Sequence, residues 1–560
     1  MRHSTAITIA LTALPSLAAA QATIVVDRAS VDVADFGGSQ MVGNLPGPDG
    51  RVTLREAVMA ASNTPGPQTI AFAIPRSDWP SLDSSQVLIQ LEDLLRLSGD
   101  DTLVDFTTQT AFTGDTNPNG GEVALHYVGP PAGIPSLWLA AERCTVRGLD
   151  RTIGNNFGNG LWISGNHNVV VGCTTNGLLI RGDYGGGAFN RIGGTELGEA
   201  NRFSQGFNIL SGANDNVVIG NTIRAGLRIS GDTLYGTCDR NRVVGNALAG
   251  NGYYGEEGFP LGTQLEIYHA VDTLVEGNLV GTLDGVNPSP GSSGTGGIEV
   301  WIGARNTLVR DNVISAIDMI GANHYAGQHF GVGIGVEASA ENTTIVDNKI
   351  GLAADGVTPL GNMLGIDVQS NPNGVPRGVA IGGLAPGEAN VIAHNRAIAV
   401  RVANSATGVA VRGNSIRDNG GLGIDLVGFS SSGAGVTPND PLDADDFGGN
   451  HLQNFPVIQR ALRFGRNTLL VGRLDSEPTQ AFAIDFYASA ALDPTGFGEA
   501  SVFLGSTTVT TDAAGRAGFA TSVPGAPAGW FVTATATQLA RGETSELSAG
   551  RRQRTPWLME

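Results

Sequence analysis

Residues Asn216 to Ile223 read NVVIGNTI, and variants of that phrase return along the chain. They are NRVVGNAL (Asn241 to Leu248), DTLVEGNLV (Asp272 to Val280), NTLVRDNVI (Asn306 to Ile314), NTTIVDNKI (Asn342 to Ile350) and GVAVRGNSI (Gly408 to Ile416). The internal asparagines Asn221, Asn246, Asn278, Asn312 and Asn348 lie 25, 32, 34 and 36 residues apart. A longer echo pairs IGGTELGEAN, ending at Asn201, with IGGLAPGEAN, ending at Asn390. A fixed unit with variable insertions marks a repeat architecture. Each unit holds short runs of alternating apolar and polar residues broken by Gly or Asn, which is a strand signal. One coil of such strands cannot bury its inner face alone, whereas stacked coils bury a continuous core and pair each strand with its neighbours. An Asn recurring at one corner can stack as an amide ladder. The reading is an all-β parallel β-helix over 120–428. A propeller, the competing all-β solution, needs blades of four longer strands.

Working outward, 52 Asp and Glu face 33 Lys and Arg among 560 residues, a formal net charge of -19. That balance argues against a nucleic-acid partner, since neutralising phosphates needs a basic face, and against attachment to an anionic membrane. Glycine is abundant, 81 residues, but shows no collagen period, and the patterned apolar 41% argues against disorder. Residues 1–20 read as a secretion signal: Arg2 and His3, an apolar stretch from Ala6 to Leu14, and the small residues Ala18 to Ala20. No later apolar run is long enough to span a membrane. Cys144, Cys173 and Cys238 are odd in number and widely spaced, so they read as buried thiols.

Val52 to Val58 (VTLREAV), followed by Ala60-Ala61-Ser62-Asn63, resembles the N-terminal segment of secreted bacterial CSLREA proteins, with Val52 where their motif begins with Cys. Those proteins are similar to right-handed parallel β-helix repeat proteins of the pectin-lyase-like superfamily. The repeats resemble theirs too, including GTLDG at Gly281 to Gly285 and GLAADG at Gly351 to Gly356. The resemblance implies a right-handed solenoid in an extracellular or cell-surface protein. It fixes no activity, because such folds include lyases, hydrolases, epimerases and adhesins.

The ends frame this core. Thr53 to Ala61 predicts a short helix capped by Thr53 and Glu56, placed in an N-terminal cap with the first coils over 21–119. Residues 429–455 read as an acidic, Gly-rich linker, in which Asp440, Asp443 and Asp445 are candidate Ca²⁺ ligands, with a solvated acidic turn as the alternative. Alternating runs over 456–550 predict a β-sandwich-like module, and 551–560 a frayed tail.

Chemistry is sought where coils stack polar residues outward. The strands align by eye into one outer column of Arg228, Glu266, Glu299, Gly335, Asp367, Ala399 and Asp425. Beside it runs a second column of Ser230, Tyr268, Trp301, Glu337, Gln369 and Arg401. Insertions add Tyr253, Tyr254, His324 and Tyr325, and His269 follows Tyr268. Aromatic faces beside carboxylates suit a sugar groove on the solenoid's outer wall. The candidate catalytic residues are Glu266, Glu299, His324, Tyr325 and His269. Tyr253, Tyr254, Tyr268, Trp301, Glu337, Asp367 and Arg401 are the candidate substrate contacts. Two enzymatic readings stay open: glycoside hydrolysis by the paired carboxylates, and β-elimination from a uronate, with Ca²⁺ neutralising its carboxylate. A non-catalytic adhesin is the alternative. The expected partner is a polysaccharide or cell-surface glycan, bound by a monomer.

Overall fold

The structure, a computed structural model, describes residues 22–29, 34–35, 37–79, 84–118, 120–129, 134–153, 160–250, 262–289, 296–317, 331–428 and 435–555. The stretch read as a secretion signal and the loop residues Tyr253, Tyr254, His324 and Tyr325 lie outside the described residues. The chain forms two compact units, divided between Thr175 and Asn176.

In the first unit, Ala22–Val26 pairs in parallel with Gln68–Phe72, which pairs with Thr102–Asp105. Thr145–Arg147 and Val169–Val171 continue that sheet. Between the first two strands runs the helix Leu54–Asn63. It starts on the expected capping box: Thr53 Oγ1 accepts from the Glu56 amide at 3.2 Å, and Glu56 Oε2 accepts from the Thr53 amide at 2.8 Å. Leu54, Ala57, Val58 and Ala61 are buried on one face. Glu56 also accepts from the Asp35 amide at 2.9 Å, while Arg55 donates to the Asp93 carbonyl at 2.9 Å. Both charges therefore serve structure.

The second unit is a right-handed parallel β-helix followed by an antiparallel β-sandwich. Three parallel sheets form the walls of its coils. Ile267, Val300 and Val368 are fully buried, so the alternation turns the apolar set inward. The asparagines form the expected ladder. The Asn246 amide and side-chain Nδ2 both donate to Asn278 Oδ1, at 2.9 and 3.1 Å, and Nδ2 also reaches the Val218 carbonyl at 2.9 Å. The same hand-over joins Asn201, Asn221, Asn246, Asn278, Asn312, Asn348, Asn390 and Asn414. At six of the eight ladder positions the residue before Asn turns a left-handed corner, among them Gly245 at φ +62°, Gly277 at +66°, Asp311 at +54° and Asp347 at +56°, while Ala200 and Ala389 precede the other two. That explains why Gly or Asp precedes Asn in the repeat, since these residues tolerate that conformation best.

Cys144, Cys173 and Cys238 are free and buried, and burial pushes each thiol up to about 12. The sandwich packs Val457–Phe464, Asn467–Asp475 and Arg516–Pro524 against a sheet containing Ala481–Ser489, Val502–Thr510 and Phe531–Gln538. Phe482, Phe486, Leu470 and Phe519 fill the space between. The tail departs from expectation. Arg551–Arg552 pairs with Phe531 and Val532, and the Arg554 amide donates to the Ala461 carbonyl at 3.0 Å. Backbone pairing holds these residues where their charge pattern alone suggested fraying.

Candidate functional site

One wall of the solenoid carries the polar column. Its register runs Asn208, Arg228, Glu266, Glu299, Gly335, Asp367, Arg401, Asp425. The expected order holds except at one coil, where Arg401 takes the place assigned to Ala399. Arg401 therefore leaves the second column, in which Gln369 stands beside Ala403. Ile398, Val400 and Val402 are all apolar, so a slip of two residues keeps the same face inward and the alternation cannot detect it.

The register gathers Glu266, Glu299, Tyr268, Trp301 and His269. Glu266 is only 2% exposed. Its Oε1 accepts from the Trp301 indole Nε1 at 3.0 Å, and its Oε2 lies 3.3 Å from Arg228 Nε. Burial raises its pKa, against the opposing pull of Arg228 and the indole N–H. Glu299 stands in register with it on the next coil, half-buried, and its Oε2 accepts from Thr263 Oγ1 at 3.0 Å. Adjacent coils stand about 4.8 Å apart, so the two carboxylate-bearing side chains leave the wall as neighbours.

Aromatic rings flank the pair. Tyr268 meets Trp301 edge to face at 5.4 Å and His269 at 4.4 Å. The Arg228 guanidinium sits 5.9 Å from the Tyr268 ring centroid. His269 adopts φ +44°, and burial lowers its pKa, which favours the neutral imidazole. Asp232 opposes that shift and Arg305 adds to it.

Asp367 and Arg401 form a separate cluster, because Gly335 contributes no side chain between Glu299 and Asp367. Arg401 donates to both Asp367 oxygens, at 2.8 and 2.6 Å. On the next coil burial pushes Asp425 up to about 6. Glu337, 3% exposed, accepts from Asn371 Nδ2 at 3.0 Å. Asp367 and Arg401 thus hold neighbouring coils together apart from the Glu266 group, whereas Glu337 stands one coil on from Trp301.

The acidic segment is folded into local contacts. Asp440 accepts from the Ala444 amide at 3.0 Å. Asp443 accepts from the Asn454 amide at 2.9 Å and from Ser476 Oγ at 2.6 Å, and burial pushes its carboxyl up to about 6. Asp445 is also shifted upward, by burial and then by Asp440 and Asp446. Among the described residues, no three His, Cys, Asp or Glu side chains converge as a Ca²⁺ ion requires.

Two contacts escaped the sequence reading. Thr263 touches Glu299 across coils, and its place three positions before Glu266 in the sequence gave no sign of that. In the first unit, Trp138 and Trp162 meet at 6.2 Å with Arg96 stacked 4.6 Å from the Trp138 ring, a pair visible only once Leu137–Leu139 and Leu161–Ile163 are in register.

No protein-family model matches the chain, and no curated protein matches it. Among the described residues, no helix is long and apolar enough to cross a membrane.

Proposed function

We propose that this chain is a secreted, glycan-directed β-helix protein of the pectin-lyase-like kind with a CSLREA-type N-terminal segment, acting as a monomer on polysaccharide through the wall around Glu266 and Glu299. One observation carries the reading: two carboxylates in register on adjacent coils, one buried with a raised pKa, beside a Tyr268–Trp301 aromatic pair. The chemistry this supports is glycoside hydrolysis. Glu266, whose burial favours the protonated form, gives a proton to the departing glycosidic oxygen, while Glu299 attacks the anomeric carbon. Water then attacks that carbon, returns a proton to Glu266 and releases Glu299. Tyr268 and Trp301 offer apolar faces to sugar C–H groups.

Elimination has less support. Arg401 is engaged by Asp367, and His269 is the one candidate base among the described residues of the site. The test is a panel of neutral and acidic polysaccharides incubated with the native chain, scored by new reducing ends and by absorbance of unsaturated ends. New reducing ends without that absorbance support hydrolysis, and absorbance overturns it in favour of elimination.

A second reading, a non-catalytic adhesin, is favoured by the burial of Glu266 and Asp367, each facing an arginine of a neighbouring coil. Such pairs lock a stack without turning over a substrate. Glycan binding with no product of either kind supports that reading.

A further inference from the structure

Each inner coil passes hydrogen bonds to the coil after it: the amides of Gly220, Gly245 and Gly277 donate to the carbonyls of Val244, Glu276 and Arg310 at 3.1, 2.9 and 3.2 Å. Gly413 holds the matching place in the coil Val409–Arg412, the last of its sheet, and its amide donates at 3.0 Å to the Tyr487 hydroxyl of the sandwich. The substitution is systematic. The Val411 amide donates to Thr544 Oγ1 at 2.9 Å, Asp418 to Glu499 Oε2 at 2.8 Å, and Leu426 to Glu546 Oε1 at 3.1 Å. Arg412 grips the fully buried Asp485 through two bonds of 2.7 Å. The side chains of the sandwich, joined at Ile416 by the Ala500 backbone, thus stand where the carbonyls of one more coil belong.

We propose that the C-terminal module is a plug acting in cis, which keeps the solenoid's last coil from pairing with the last coil of a second copy of this chain. An edge of unpaired N–H and C=O groups is a template for another strand. At the opposite end of the chain, the helix Leu54–Asn63 packs on Ala22–Val26 independently of the plug, so loosening the plug frees one edge per molecule. Like edges meet about a two-fold axis, and that contact closes at two chains. This role is independent of any action on glycans.

The test pairs mass by light scattering with amide exchange on the full-length secreted chain, native and carrying Tyr487→Phe with Thr544→Val. A Glu546→Ala chain is a second variant, should the first not fold. The plug predicts exchange at Val411 and Gly413 (Leu426 for Glu546→Ala) faster by at least about tenfold, with Val309 in an inner coil unchanged, and a concentration-dependent rise from one chain to two. Fast exchange at an unchanged single-chain mass overturns the proposal. So does growth beyond two chains, or unaltered exchange at the edge amides of a folded variant.

Discussion

Arg401 grips Asp367 on the preceding coil through a two-pronged contact, Nε to Oδ1 at 2.8 Å and Nη2 to Oδ2 at 2.6 Å, with Asp367 only 1% exposed. Removing the cation leaves a buried charge without its counter-ion. Arg401→Ala therefore lowers stability by about 3 kcal/mol or more, whereas Arg401→Met combined with Asp367→Leu costs far less. Urea unfolding followed by circular dichroism compares the two. Equal losses would show that the pair carries no special burden.

The ladder makes a sharper claim. Asn278→Ala removes the acceptor of the Asn246 amide and three donations by Nδ2 and its neighbour's Nδ2, all buried. The expected loss is about 2–4 kcal/mol, from buried groups left unpaired. Asn373→Ala, on an exposed turn, shifts stability by no more than about 0.5 kcal/mol. Thermal or urea midpoints of the two variants check this.

Much of this architecture was legible in the primary structure because two signals coincide. Alternation set the inward face, and the recurring Asn marked one corner of the coils. The error at Ala399 and Arg401 arose because a two-residue slip along Ile398, Val400 and Val402 costs the pattern nothing. The site was legible as a list of outward residues. Which of them share a cluster was not, since that depends on Gly335 leaving a gap and on insertions of unequal length between coils.

The plug also predicts a pH dependence. Burial pushes Glu546 up to about 8 and Glu499 up to about 7, ahead of the opposing backbone amides of Leu426, Thr437, Asp418 and Asn419. Asp425 adds to the shift at Glu546, and Asp418 and Asp493 to that at Glu499. Both folded values exceed the unfolded value of about 4.3. The stabilisation from these protons is complete below about pH 4 and is lost as pH rises through 7 to 8. Edge amides at Asp418 and Leu426, corrected for intrinsic exchange, lose protection between pH 5 and 9, and Glu546→Gln flattens the upper part of that change. A protection factor that rises with pH contradicts the assignment.

Trp301 tunes Glu266 directly through its indole N–H. Trp301→Phe keeps an aromatic face but deletes that donor, which stabilises the carboxylate. The Glu266 pKa moves further up, so the alkaline limb of the hydrolysis profile moves to higher pH, and the buried oxygen left without its donor lowers stability by about 1–3 kcal/mol. An unmoved limb separates Glu266 from the acid role. Glu266→Gln in the same assay lowers turnover about 10²–10⁴-fold.

The most direct measurement is the anomeric configuration of the first product released from a polysaccharide, followed by proton NMR before mutarotation. The proposed acid–nucleophile pair, Glu266 and Glu299 in register on adjacent coils, predicts a product that keeps the configuration of the bond cleaved. An inverted product, or none from any glycan the chain binds, contradicts that pairing.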